Sequence, residues 1–196
     1  MHGLVNRSLQ GFLRDTYGVA IWGNVARKAR LGFDGFEPMM SYEPAMTEAV
    51  IAAAAQILKR SRDSVLEDLG TYLVSHPNTE ALRRLLRFGG ESFDDFIHSL
   101  EDLPERARLA LPELILPGLE LREYGAGCYR LHVTAPIEGA GHVMMGLLRA
   151  MADDYGALVL LDPLEPEEGA EVLAIQLLDQ RHSSGRQFDL VGGQRP

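Results

Sequence analysis

Apolar residues recur at helical spacing through roughly the first hundred positions and switch to strand-like alternation after Pro117. That change of period constrains the fold of this 196-residue chain more than any single residue does. Leu4, Val5, Leu9, Phe12 and Leu13 give one apolar face between Leu4 and Tyr17, which Gly18 closes. Ile21, Trp22, Val25 and Ala29 continue the pattern in a second helix ended by Gly32. Phe33 to Pro44, with Gly35 and Pro38 inside it, reads as a connection. Helices follow at Met46 to Leu58, at Arg62 to Val74 with Ser61 or Asp63 as cap, and at Thr79 to Phe88, stopped by Gly89 and Gly90. Ser92 is a suitable N-cap for a helix carrying Phe93, Phe96, Ile97, Leu100 and Leu103, and Asp94 and Asp95 suit its positive end.

Pro104 interrupts that last helix. Inside a helix it removes a backbone donor and clashes with the preceding turn, at a cost of about 3 kcal/mol. Three outcomes are open: the helix ends near Asp102, it kinks, or Pro104-Glu105-Arg106 opens a new short helix. Beyond Pro117, Leu119 to Glu123 and Tyr129 to Thr134 read as a hairpin turned at Gly125 and Gly127. Val143 to Tyr155 returns to a helical period. Ala157 to Leu161 and Val172 to Leu178 read as strands split by an acidic loop, Asp162 to Gly169, and residues 182–196 read as a loose tail. The expectation is one α+β domain over residues 1–181, with a helical lobe at about 1–112 and, at about 113–181, an antiparallel sheet with packed helices.

The formal charge of -9 repels nucleic-acid phosphates and anionic membranes, so neither is an expected partner. The basic clusters Arg27, Lys28, Arg30 and Arg83, Arg84, Arg87 read as solvated helix faces. Ala49 to Leu58, the longest kind of apolar run present, is too short to span a bilayer, and no signal peptide is visible. Cys128 stands alone, which excludes an internal disulfide and fits a reducing, cytoplasmic setting. No G-x-S-x-G, C-x-x-C, phosphate loop or H-E-x-x-H occurs. The acidic neighbours Glu101-Asp102 and Asp153-Asp154 diverge by about 100° on a helix and do not share a site. Gly139-Ala140-Gly141 reads as the lead-in to the following helix. No catalytic residues are expected, and the chain reads as a non-enzyme.

The N-terminus carries Met1, Gly3, Val5 and Asn6, then Leu13-Arg14-Asp15 and Tyr17-Gly18. The later segment carries Phe96, Ile97, Leu100, Glu101 and Leu103, then Pro112 and Pro117. In register, over roughly residues 1–180, this pattern resembles the H-NOX (haem nitric oxide/oxygen binding) domain family, whose opening reads M-x-G-x-V-N and L-R-D-x-Y-G and whose haem-bearing helix reads F-L-x-N-L-D-x-L-H. The resemblance implies a helical lobe followed by an antiparallel sheet, a pocket for haem b, a gas-dependent change of shape and a separately encoded signalling partner of kinase or cyclase type. It also implies an apolar slot lined or bordered by Val5, Leu9, Phe12, Leu73, Val74, Phe96, Leu100, Pro104, Leu116 and Pro117. Ordinary core is the other reading of the same side chains.

Two signatures of that family are replaced. Pro104 stands where the axial histidine is expected, and Val133, Ala135 and Ile137 stand where Y-x-S-x-R holds the haem propionates. Buried propionates without hydrogen-bond partners are costly. Arg130 or Arg149 could serve them, or could be surface arginines. Among replacement metal ligands, His98 lies six residues before Pro104, about 240° around a helix, and reads as an exposed polar residue. His132 and His142 flank the lost propionate motif and could meet a ligand there; one face of a half-solvated strand is the other reading of His132. His76 reads as a helix-end cation satisfying carbonyls. Two functions remain open at this point. One is a sensory domain that uses the inherited pocket for haem, a lipid or another tetrapyrrole in a non-standard way. The other is a haem-free interaction module acting through its surface. Pro104→His should restore haem binding if the pocket is intact.

Overall fold

The computed structural model describes residues 1–110 and 112–186, and has the expected α+β architecture. The described helices are α1 (Gly3–Tyr17), α2 (Val19–Lys28), α3 (Pro44–Leu58), α4 (Arg62–Ser75), α5 (Glu80–Arg87), α6 (Phe93–His98), α7 (Leu103–Ala110) and α8 (Ala140–Tyr155). The strands are β1 (Gly118–Gly125), β2 (Cys128–Thr134), β3 (Leu158–Glu167) and β4 (Ala170–Asp179), paired antiparallel in the order β1-β2-β4-β3.

Local chemistry accounts for the starts of α4 and α6. The Ser61 hydroxyl accepts from the Ser64 amide at 3.1 Å and opens α4. Ser92 and Asp95 form a reciprocal capping box at α6: the Ser92 hydroxyl accepts from the Asp95 amide at 3.1 Å, and the Asp95 carboxylate from the Ser92 amide at 3.0 Å. α6 stops at His98, and Pro104 is the second residue of a new helix, α7. Amides of a first helical turn have no intrahelical acceptor, so the proline costs little there.

Two apolar cores follow from the faces these elements present. The first gathers Leu9, Phe12 and Leu13 of α1 with residues of α2, α3 and α4, including Val50 and Val65. The second joins Phe93, Phe96 and Leu100 to Leu148 and Met151 of α8 and to Leu131, Val133, Leu173 and Ile175 on one face of the sheet. α8 therefore packs between α4 and the sheet.

Two expectations are corrected. The segment Asp162 to Glu167, expected as loop, is the second half of β3, and only Glu168 and Gly169 turn the chain, both at positive φ. Pro163 and Pro166 masked the strand signal; β3 is an edge strand, where a missing amide leaves no ladder bond unmade. Arg83 and Arg87 do not form a solvated face. Arg83 lies 2.7 Å and Arg87 3.8 Å from the carboxylate of Asp154, whose side chain on α8 is wholly buried. The Arg87 guanidinium also lies 3.8 Å over the Tyr155 ring. Of that trio, Arg84 is the one that faces water, beside Glu80.

Of the segment expected as a tail, residues 182–186 run back along the end of α8, where the Ser183 and Arg186 amides donate to the Gly156 and Asp154 carbonyls, each at 3.0 Å. Residues 187–196 lie outside the described part. Among the described residues no helix is long and apolar enough to cross a membrane.

Candidate functional site

The side chains expected to line one slot are divided between the two cores. Leu9 and Phe12, with Leu73 packed against them, belong to the α1–α4 cluster, whereas Val74, Phe96 and Leu100, with Leu116 alongside, belong to the sheet cluster. Val5 is half-buried on α1, and Pro104 and Pro117 are half-buried at the start of α7 and just before β1. An open slot would leave its lining accessible to water. Leu9, Phe12, Val74, Phe96 and Leu100 are instead only 1% to 2% exposed. Aromatic rings occupy the space beside them: Phe12 meets Tyr17 and Tyr72 at 5.7 Å, and Phe96 meets Phe93 at 5.9 Å and Tyr155 at 5.8 Å.

Two clefts open elsewhere. One, of about 390 Å³, is bordered by Asp94, Glu123, Tyr129 and Asp179. The other, of about 290 Å³, is bordered by Arg62, His142, Pro163 and Glu171. Neither includes any of the expected slot residues. Both are more polar than the apolar recess a macrocycle needs.

The metal-ligand candidates are engaged elsewhere. Pro104 carries no donor atom in its side chain. His98 is exposed, with Nδ1 2.8 Å from the Asp94 carbonyl and its ring edge-on to Tyr129. His132 is buried rather than half-solvated: Tyr129, Leu131 and Val133 take the core side of β2, and His132 points to the other, where Nε2 lies 3.2 Å from Glu167. The hydrogen bond from His132, with the charge of Arg130, holds the Glu167 carboxyl below the usual carboxylate range. His142 faces Glu67 at 3.3 Å and Asp63 at 3.7 Å. His76 does not serve carbonyls; its Nδ1 accepts from the Asn78 amide at 3.3 Å and its ring stacks on Tyr72. Among the described residues no group of three His, Cys, Asp or Glu is placed to hold a metal ion.

At the propionate end the chemistry is reversed. Val133 is buried in the core and pairs across the sheet with Glu171. The Glu171 carboxylate accepts from the Gly139 amide at 2.6 Å and the Gly141 amide at 3.0 Å, and so caps α8. A propionate brought to this place would meet a carboxylate already bonded there, and like charges repel. Arg130 is committed to Glu167 at 3.0 Å and to the Tyr124 ring, and Arg149 is an exposed residue 3.3 Å from Glu67. The residues present do not fit haem held by an axial histidine and a polar triad. Glu171 is the functional group sequence reasoning missed, because its role depends on the pairing of β4 with β2.

The family model described as Haem-NO-binding matches residues 2–160. A triple mutant of an H-NOX protein from S. oneidensis, in the Fe(II) ligation state, superposes with a TM-score of 0.78 at 17% identity, covering 92% of this chain and 98% of that one. The Fe(II) unliganded H-NOX protein from K. algicida gives 0.76 at 13% identity over 91% and 97%. Soluble guanylate cyclase gcy-31 of Caenorhabditis elegans is 21% identical over 168 residues, 85% of this chain and 24% of that protein. Guanylate cyclase soluble subunit beta-2 of Rattus norvegicus is 26% identical over 93 residues, 47% and 14% of the two chains. This chain thus spans at most about a quarter of the length of these curated relatives. On the match over residues 2–160, with the same fold throughout, the chain belongs to the Haem-NO-binding family, HNOB or H-NOX, of haem-binding gas sensor domains in signalling proteins.

Proposed function

We propose that this H-NOX domain is a regulatory module that works without haem and acts through its surface on a separate signalling protein of kinase or cyclase type. The observation that carries this reading is the closed packing of Phe12, Phe96 and Leu100, each 1% exposed, where the family's chemistry requires an open recess. Pro104 in the first turn of α7 and Glu171 on the α8 amides support it from the two ends of the expected site. Guanylate cyclases among the relatives support a place in signalling, and the lone thiol of Cys128 suits the reducing cytoplasm. The module itself is not catalytic in this reading.

The test is spectroscopic. Protein purified from cells supplied with haem, then desalted, should show no Soret band and should take up no haem on titration. Mass spectrometry after denaturation should release neither lipid nor tetrapyrrole. A Soret band surviving desalting, above all one from five-coordinate ferrous haem, would overturn the proposal.

A further inference from the structure

The face of the sheet turned away from α8 carries an uncovered apolar stripe. Along β3, Val159 and Leu161 pack onto the core, so Leu158, Leu160, Asp162 and Leu164 alternate outward. Leu158, Leu160, Leu164 and Leu178 of the neighbouring β4 are each 36% to 50% exposed. Isolated exposed leucines are ordinary, but four on one face of two adjacent strands form a patch of the kind that marks an interaction site.

Three observations choose among occupants. First, β3 is a sheet edge, but Pro163 and Pro166 lack the amides that an added strand would need, so a partner settles on the face rather than extending the sheet. Second, the stripe from Leu158 to Leu164 spans roughly 20 Å at about 3.3 Å per residue, the length of about 14 helical residues. Third, the stripe is acidic. Asp162 stands within it, exposed, and no arginine or lysine among the described residues pairs with it. The arginines of this face are already held, Arg122 by Glu120 at 2.8 Å and Arg130 by Glu167 at 3.0 Å. A second copy of a chain with formal charge -9 would bring like charge against like.

We infer that Leu158, Leu160, Leu164 and Leu178 are the seat for an amphipathic helix with an apolar face and Lys or Arg flanks, carried by the signalling partner. This rests on the reading of the domain as a surface-acting module and names its surface.

The test uses the full chain and two synthetic peptides of about 14 residues, one of Leu and Lys and one of Leu and Glu, patterned as amphipathic helices. Anisotropy titration measures affinity and amide chemical shifts locate the site. The Leu/Lys peptide should perturb β3 and β4 and bind about tenfold tighter than the Leu/Glu peptide. The double variant Leu160→Asp with Leu178→Asp should lose about tenfold, as removal of buried anchors does, and Asp162→Lys should weaken binding while leaving the apolar contacts in place. Circular dichroism confirms that each variant is folded. Failure of the Leu/Lys peptide to bind, equal binding of both peptides, shifts confined to another face, or a dimer abolished by the double variant would each overturn the inference, the last assigning the face to a second copy. A Soret band would refute haem-free working and leave this result untouched, so the two failures are distinguishable.

Discussion

Gly70 of α4 and Gly146 of α8 let two helix backbones meet. A Cβ on Gly146 would lie 1.9 Å from the Glu67 carbonyl oxygen, and one on Gly70 would lie 2.0 Å from the Val143 carbonyl oxygen. Alanine improves helix propensity by roughly 1 kcal/mol over glycine at an exposed site. Here the added methyl has only backbone to push against. Gly146→Ala should therefore destabilise the domain, by about 1 to 3 kcal/mol net of that gain, as a lower midpoint in urea denaturation.

Asp154 is the buried anchor for α5. Its carboxylate lies within 4 Å of Arg83 and Arg87, which are only 13% and 14% exposed. Removing one partner of a buried ionic group leaves uncompensated charge, so Asp154→Ala should cost about 3 to 5 kcal/mol in thermal or urea unfolding. Arg84→Ala, which breaks an exposed pair with Glu80, should cost about 0.5 kcal/mol or less.

Asp15 and Tyr72 set the pH limits of the α1–α4 contact. The Tyr72 hydroxyl donates to the Asp15 carboxylate at 2.6 Å, and this bond is the main cause holding the Asp15 carboxyl below its ordinary value of 3.8; Asn78 donates a second at 2.9 Å. Burial first, and then Asp15, pushes the Tyr72 phenol well above its usual range. A depressed carboxyl stabilises the fold above its unfolded value, and that contribution is lost as pH falls through the folded value. A raised phenol stabilises below its unfolded value and loses its contribution only in strong alkali. Thermal melts should show stability falling below about pH 4, and Tyr72→Phe should flatten that acid limb.

On the proposed haem-free reading, Pro104→His supplies an imidazole without opening a recess for a macrocycle. With Phe96 and Leu100 closed against their neighbours, the variant should remain colourless after haem titration. A Soret band in the variant alone would mean that the core opens once a ligand is offered.

Much of this could be read along the chain, for physical reasons. Ser61 and Ser92 announced helix starts because capping is chemistry among residues three apart. The break at Pro104 was legible because proline's constraint is local. The second half of β3 was not, since Pro163 and Pro166 argue against a strand until its position at the sheet edge is known. Arg83 and Arg87 looked solvated because their partner, Asp154, lies on a helix distant in sequence. The candidate lining residues were correctly seen as apolar. Whether apolar side chains surround a hole or fill it depends on how elements distant in sequence pack into the two cores, which periodicity does not encode.

Glu171 makes the start of α8 a berth filled from within. Because the side chain is tethered, its effective concentration there is on the order of millimolar or more. A free phosphate or carboxylate must outcompete an occupant that never diffuses away, and success would strip β4 of its tie to the helix.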